Sequence, residues 1–173
     1  LIPNAAGASA EGTEVTDILT PEQRRFVMSR IKGKDTKPEM ILRRGLHGRG
    51  LRYRLHGADL PGKPDMVFPR HRAVIFVHGC FWHGHGCSLF RWPKTRAPYW
   101  RTKINGNIER DRHALAALRT DGWRTLVVWE CALQGRRGNA MEDVLRRVEA
   151  FIRQGRMSIA EITESKHSVR RTS

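Results

Sequence analysis

The chain has 173 residues, with 32 Lys and Arg against 17 Asp and Glu and a formal net charge of +15. That length suits one ordinary domain with a core large enough to need no disulfides. The charge favours a polyanionic partner, because Lys and Arg release counterions condensed on phosphates. The longest apolar runs, Ala73–Val77 and Leu126–Trp129, are strand-sized, so these residues hold no hydrophobic segment of signal-peptide or membrane-spanning length.

In chain order, residues 1–15 are small and polar without periodicity, and they are expected to form a flexible leader. Thr20-Pro21-Glu22-Gln23 reads as a helix start, with Thr as N-cap, Pro at the first helical position and Gln closing a capping box. This helix carries Phe26, Val27 and Ile31 and stops near Gly33. A second helix is expected from Lys37 to Leu46, with Met40, Ile41 and Leu42 partly inward, ending near Gly48. Strands are expected at Leu51–Leu55, Met66–Phe68 and Ala73–Val77, with residues 69–72 turning the chain between the last two. A long helix from Pro98 to Leu118 places Ile104, Ile108, Leu115 and Leu118 on its apolar side. Gly122 ends it, and Trp123–Trp129 reads as a buried strand. An amphipathic helix over Ala140–Arg153 turns Val144, Val148 and Phe151 inward. Residues 156–173 read as a loosely held basic tail. The fold class predicted is a single α/β domain over 16–155, a small central mixed sheet flanked by helices.

Chemistry concentrates between Val77 and Cys87, where eleven residues hold two of the three cysteines and three of the eight histidines. Three cysteines cannot all pair, so reduced thiols in a cytoplasmic, nucleoid-associated protein are expected, free to bind metal. Cys80, His85 and Cys87, with Cys131 just past the strand ending at Trp129, make a Cys3His set suited to a closed tetrahedral zinc. Cys131 reads alternatively as a small core residue. His83 competes with His85 for the fourth place, and spacing leaves this open. Phe81 and Trp82 are adjacent in a Gly-rich polar loop, which argues against both being buried; Trp123 and Trp129 read as core. Asp65 follows the loop Leu60–Pro64 at a strand start, where beside His78 it suits a hard cation held against a phosphate. Its plainer reading is an Asp that ends a strand.

PGKPDMVF, RAVIFVHGCFWHGHGC, PYWRTKINGNIERD and GWRTLVVWECAL, in that order, resemble the very short patch repair (Vsr) DNA mismatch endonucleases over roughly residues 20–155. The resemblance implies a restriction-endonuclease-like fold and a monomeric, magnesium-dependent enzyme. Such an enzyme nicks one strand of double-stranded DNA beside a T:G mismatch left when 5-methylcytosine deaminates in the target site of a cytosine-5 methyltransferase. It implies that Asp65 binds magnesium, with the backbone carbonyl of Val77 as second protein ligand. His83 would act near the attacking water, His78 would contact the scissile phosphate, and Glu39 would support the ion's water shell. It assigns Cys80, His85, Cys87 and Cys131 to structural zinc, which decides between His83 and His85.

The same resemblance makes Phe81, Trp82 and Trp100 aromatics inserted beside the mismatch, where weakened pairing lowers the cost of unstacking. Met28 and Ile31 would approach from the other groove. Lys103 and Asn107, four apart on the long helix, are placed to hydrogen-bond a displaced wobble pair, or else form an ordinary polar face. Arg24, Arg25, Arg30, Lys32 and Lys34 suit phosphates, which position without specifying. No Glu-x-Lys follows Asp65, so histidine-assisted chemistry is expected, with His83 the candidate base. Two other readings use the same residues: a nuclease with relaxed mismatch choice or double-strand cleavage, and a zinc-stabilised DNA-binding module without catalysis.

Overall fold

The computed structural model describes residues 20, 22, 23, 26, 33–134, 139–155 and 157–164. The chain divides into two units, Leu1–Ile31 and Lys32–Ser173, a division inside the span 16–155 that the sequence assigns to one domain. In the first unit the expected capping box is present: the Thr20 N–H donates to Gln23 Oε1 (2.9 Å) and the Gln23 N–H to Thr20 Oγ1 (3.2 Å). Met28 and Ile31 lie outside the described residues, as do Val27, Arg24, Arg25, Arg30 and Lys32.

The second unit opens with helix α1, Lys37–Gly48, which Thr36 and Glu39 start by a reciprocal capping box with Pro in the first turn. The helix stops in a Schellman motif. Gly50 takes φ +76, its N–H reaches the His47 carbonyl (3.0 Å), and the Leu51 N–H reaches that of Leu46 (3.1 Å). Leu51 is therefore spent on the helix stop and is 4% exposed. The strand expected at Leu51–Leu55 consequently shrinks to β1, Arg54–Leu55.

Strands β2 (Met66–Phe68), β3 (Ala73–His78), β4 (Arg124–Trp129) and β5 (Ile159–Ile162) complete one five-stranded sheet in the order β1-β2-β3-β4-β5. The first two pairings are antiparallel and the last two parallel, with Val77 opposite Val128 and Val128 opposite Ile162. Hence the sheet is mixed, as expected. Helix α2 (Ala97–Thr120) connects β3 to β4; the short α3 (Glu130–Leu133) and then α4 (Asn139–Gln154) connect β4 to β5.

Residues alternate between two cores because successive side chains on a strand point to opposite faces. Met66, Phe68, Ile75, Leu126 and Val128 meet α1 and α4 on one side. Val67, Val74, Phe76, Val127 and Trp129 meet Leu118 of α2, Cys80 and Cys131 on the other. Val148 and Ile152 of α4 are fully buried, each contributing about 2 kcal/mol. Helices α1 and α4 cross closely at Gly45, where an added Cβ would stand 2.5 Å from a Leu145 methyl.

β5 corrects the expectation of a loose tail from residue 156. Ala160 and Ile162 are 6% and 3% exposed within the first core, and Trp129 Nε1 donates to Glu161 on the opposite face (3.3 Å). Four residues with one alanine carry little strand propensity; pairing with β4 decides the conformation. Arg124 ties these layers together. Its guanidinium donates to the carbonyls of His71 (2.7 Å), Phe151 and Ile152 (2.9 Å), capping the C-terminal turn of α4. No helix among the described residues is long and apolar enough to cross a membrane.

Candidate active site and metal centre

β3 and β4 run parallel, so both deliver their C-terminal ends to the same edge of the sheet. The loop leaving β3 carries Cys80, His83, His85 and Cys87, and Cys131 opens the helix leaving β4. The ligand atoms of Cys80, His85, Cys87 and Cys131 all lie within 4.8 Å of one another, a group able to hold a metal ion. His85 Nδ1 is 3.6 Å from Cys80 Sγ and 3.5 Å from Cys131 Sγ, and its ring stacks on Trp129 with centroids 4.1 Å apart. His83 is absent from this group.

The sulfurs sit among backbone donors. The Cys131 N–H points at Cys80 Sγ (3.4 Å) and the Glu164 N–H at Cys131 Sγ (3.3 Å), arrangements that favour thiolate. Hydrogen bonding from Cys80 brings the Cys131 thiol down to about 6 against the opposing effect of burial. The Cys80 thiol, donor in that pair, moves upward.

Beside this centre lies a cleft of about 360 Å³ whose lining includes Lys63, Asp65, Val77, His78, His83 and Asp111. Asp65, immediately before β2, accepts a hydrogen bond from the Val77 N–H at Oδ2 (2.7 Å). Burial raises its carboxyl to about 6, with the charge of Glu39 adding to the rise, while the Val77 N–H, His56 and His83 oppose it. Backbone strain accumulates beside it: Lys63, preceding a proline, takes φ +53, and His56 takes φ +48, conformations that cost about 1–3 kcal/mol each for non-glycine residues. The Asp65 carbonyl in turn accepts from the His56 N–H (3.0 Å), closing the loop that presents it.

His78, ending β3, and His83 stack face to face, with centroids 3.8 Å apart and planes 6° from parallel. Asp111 on α2 reaches both, 2.5 Å from His83 Nδ1 and 4.0 Å from His78 Nδ1. Burial, assisted by His83 and opposed by Asp111, lowers His78 to about 3, so its imidazole is neutral in ordinary buffers. Glu39 is 2% exposed. Its carboxylate accepts from the Thr36 N–H (3.3 Å) and from Arg43 (3.2 Å), and it groups with Asp35 and His56 as a further potential metal-binding trio.

Phe81, Trp82 and Trp100 form a cluster, with Phe81 5.1 Å from Trp82 and 5.3 Å from Trp100, and Trp82 6.0 Å from Trp100. None of the three is buried, while Trp129 is and Trp123 is half-buried. The loop carrying Phe81 and Trp82 is fastened to α2, which carries Trp100, at Gly84, whose φ of +62 and 2.9 Å clearance from Ile108 leave no place for a Cβ. Asn107 holds the same loop, donating from Nδ2 to the Trp82 carbonyl (2.7 Å) and accepting from Arg110. Both ends of its amide are thus engaged within the chain, whereas Lys103, one turn earlier, is exposed.

The sequence profile described as DNA mismatch endonuclease Vsr matches residues 16–89. The type II nicking enzyme V.XorIIP of Xanthomonas oryzae pathovar oryzae is 54% identical over 119 residues, covering 69% of this chain and 88% of that protein. The chain belongs to the Vsr family. The DNA mismatch endonuclease Vsr of Escherichia coli K12 is 45% identical over 138 residues, 80% of this chain and 88% of that one. V.NmeAIP, a nicking enzyme of Neisseria meningitidis serogroup A, is 43% identical over 122 residues, 70% and 87% of the two chains.

The Vsr profile reaches Asp65, His78, Cys80, His83, His85 and Cys87 and ends before Trp100, Asp111 and Cys131; Cys131 and Trp100 were expected from the sequence, and geometry adds Asp111. Two residues escaped sequence reasoning. Asp111 lies one turn beyond Asn107, so the spacing 103–107–111 along one helix face was a signal for it. Glu164, just past β5, accepts from both the N–H and the hydroxyl of Ser88 (2.8 Å each) while its own N–H faces Cys131. It thereby links the two ligand-bearing segments, and no local pattern announces it.

Proposed function

We propose that this chain is a DNA endonuclease that nicks one strand of duplex DNA beside a T:G mismatch by magnesium-dependent hydrolysis of a phosphodiester bond. The observation that carries the reading is one cleft holding Asp65, the stacked His78–His83 pair and Asp111, with the loop that supplies His83 also carrying two of three clustered, partly exposed aromatics. The relatives named as mismatch endonuclease and nicking enzymes support it. The fold assigned to the second unit is restriction-endonuclease-like and runs past residue 155 to include β5. The protein acts as a monomer in the cytoplasm, on mismatches arising in a cytosine-5 methyltransferase's target sites.

Asp65 and the Val77 carbonyl would hold magnesium. The Val77 N–H is directed at Asp65, and the carbonyl of a strand residue faces the same edge as its N–H. The carboxylate's raised proton affinity marks a charge awaiting a partner, and oxygen donors of this kind suit a hard cation. Magnesium, when bound, supplies Lewis-acid stabilisation of charge on the phosphoryl oxygens. Asp111 fixes the His83 Nδ1 proton, leaving Nε2 to take a proton from the attacking water. Neutral His78 offers a hydrogen bond to the scissile phosphate. Glu39 adds a second negative charge facing Asp65.

Zinc suits the Cys3His group. With Zn–S about 2.3 Å and Zn–N about 2.0–2.1 Å, a tetrahedral S···N edge is about 3.6 Å, against 3.6 and 3.5 Å from His85 to Cys80 and Cys131. This centre orients the loop that carries His83, Phe81 and Trp82. Phe81, Trp82 and Trp100 enter the base stack beside the mismatch, Met28 and Ile31 approach from the opposite groove, and Lys103 contacts the displaced pair. Asn107 serves them by anchoring the Trp82 carbonyl.

The test uses duplexes that differ only in one T:G or T:A pair, with each strand end-labelled in turn, in magnesium or in chelator. One nick on the thymine strand, confined to T:G and to magnesium, is expected. Cleavage of both duplexes alike would favour a broader nuclease, and binding without cleavage a DNA-binding module.

A further inference from the structure

The aromatic cluster does not stop at Phe81. Phe90 lies 6.4 Å from Phe81 and Trp92 lies 5.1 Å from Phe90, edge to face, so a row of rings runs from the wedge onto the surface. Trp92 ends that row 45% exposed. The Arg101 guanidinium, from the first turns of α2, lies 5.4 Å above its ring. At the other end Tyr99 is 47% exposed beneath Arg96, 5.0 Å away.

A contiguous row of aromatics bordered by basic side chains marks an interaction surface. Charge says what it meets. Residues 89–108 contain Arg91, Lys94, Arg96, Arg101 and Lys103 and no carboxylate, so the surface around Trp92 is complementary to a polyanion and repels a basic partner such as a second copy of this chain. A guanidinium laid on an indole face is held flat, loses little entropy on binding, and keeps its N–H edge free for a phosphate.

The geometry points to Trp92 and Arg101 as a second contact with the same DNA, gripping a backbone phosphate of the duplex flanking the wedge. This rests on the reading of the chain as a mismatch endonuclease. The ring contacts from Phe81 to Trp92, 6.4 and 5.1 Å, and the further 5.4 Å to Arg101 place that phosphate within roughly five base steps of the insertion, at about 3.4 Å per step. The contact lengthens the footprint on one side and carries no sequence information.

The experiment measures fluorescence anisotropy of the full chain with T:G and matched duplexes, in magnesium-free buffer across a salt series. Wild type, Trp92→Ala, Arg101→Ala, Arg101→Lys and the double alanine variant are compared. Each single alanine variant is expected to weaken binding about tenfold, the worth of one charge-assisted hydrogen bond, and equally on both duplexes. The double variant should lose little more, because the pair acts as a unit. Arg101→Ala should flatten the salt dependence by about one counterion, and Arg101→Lys should restore that slope without the full affinity. Unchanged affinity, additive losses or an unchanged slope would overturn the assignment, provided melting temperatures match wild type. Wild type failing to prefer T:G over matched DNA would instead overturn the mismatch reading while leaving the backbone contact standing.

Discussion

Replacing Asp65 by Asn should abolish cleavage and stabilise the protein. Burial raises the Asp65 carboxyl from 3.8 to about 6, so the folded chain holds this proton more tightly than the unfolded one. Stability from this group is therefore fully present below pH 4 and is lost as pH rises through about 6. A little over two decades of proton affinity, at about 1.4 kcal/mol each, gives roughly 3 kcal/mol at pH 8. Partial solvent access reduces this to about 2 kcal/mol. The amide keeps the carboxylate's shape, and its oxygen still accepts from the Val77 N–H. In magnesium-free buffer at pH 8 the variant should melt about 4–8 °C higher than wild type. The gap should shrink by about half at pH 5 and fall below about 1 kcal/mol near pH 4. Magnesium should then stabilise wild type and leave Asp65→Asn unmoved, because only a folded-state ligand raises stability. Calorimetry in three buffers decides it. A variant less stable than wild type at pH 8, or a gap that ignores pH, would refute the placement of an ionised, desolvated carboxylate in this cleft.

Other perturbations separate the fold from the chemistry. Cys131→Ser should reduce bound zinc, measured by elemental analysis, from about one per chain toward zero and lower the melting temperature, since structural zinc binding is coupled to folding; unchanged zinc content would remove Cys131 from the set. Glu164→Ala should release zinc to a chromogenic chelator about tenfold faster, as loss of an outer partner does, and an unchanged release rate would reduce Glu164 to a surface contact. Arg124→Met should cost about 3 kcal/mol in urea unfolding, because three carbonyls lose one charged donor; a loss below about 1 kcal/mol would mean water replaces it.

What the sequence made legible was whatever repeats or clusters locally. The apolar runs at Ala73–Val77 and Leu126–Val128, the amphipathic period of α4 and the cysteine spacing each report a periodic or chemical requirement, and each element lies where expected. β5 escaped because its four residues become a strand only by pairing with β4. Leu51 read as strand because a Schellman motif buries its last residue as a strand would, and Gly50 was the available warning. The His83–Asp111 pair depends on α2 crossing the loop after β3, 28 residues away, a tertiary fact. Asn107 had the right face and a different occupation, since whether a polar side chain is free depends on the carbonyl opposite it.

The most direct test of the central claim compares wild type with Asp65→Ala in single-turnover, strand-resolved nicking of a T:G duplex, at protein concentrations that saturate binding for both. The account predicts magnesium-dependent cutting of the thymine strand by wild type, and none by a variant that still binds the DNA and stays folded. Cutting by Asp65→Ala at an undiminished rate would contradict it and move the active centre elsewhere in the chain.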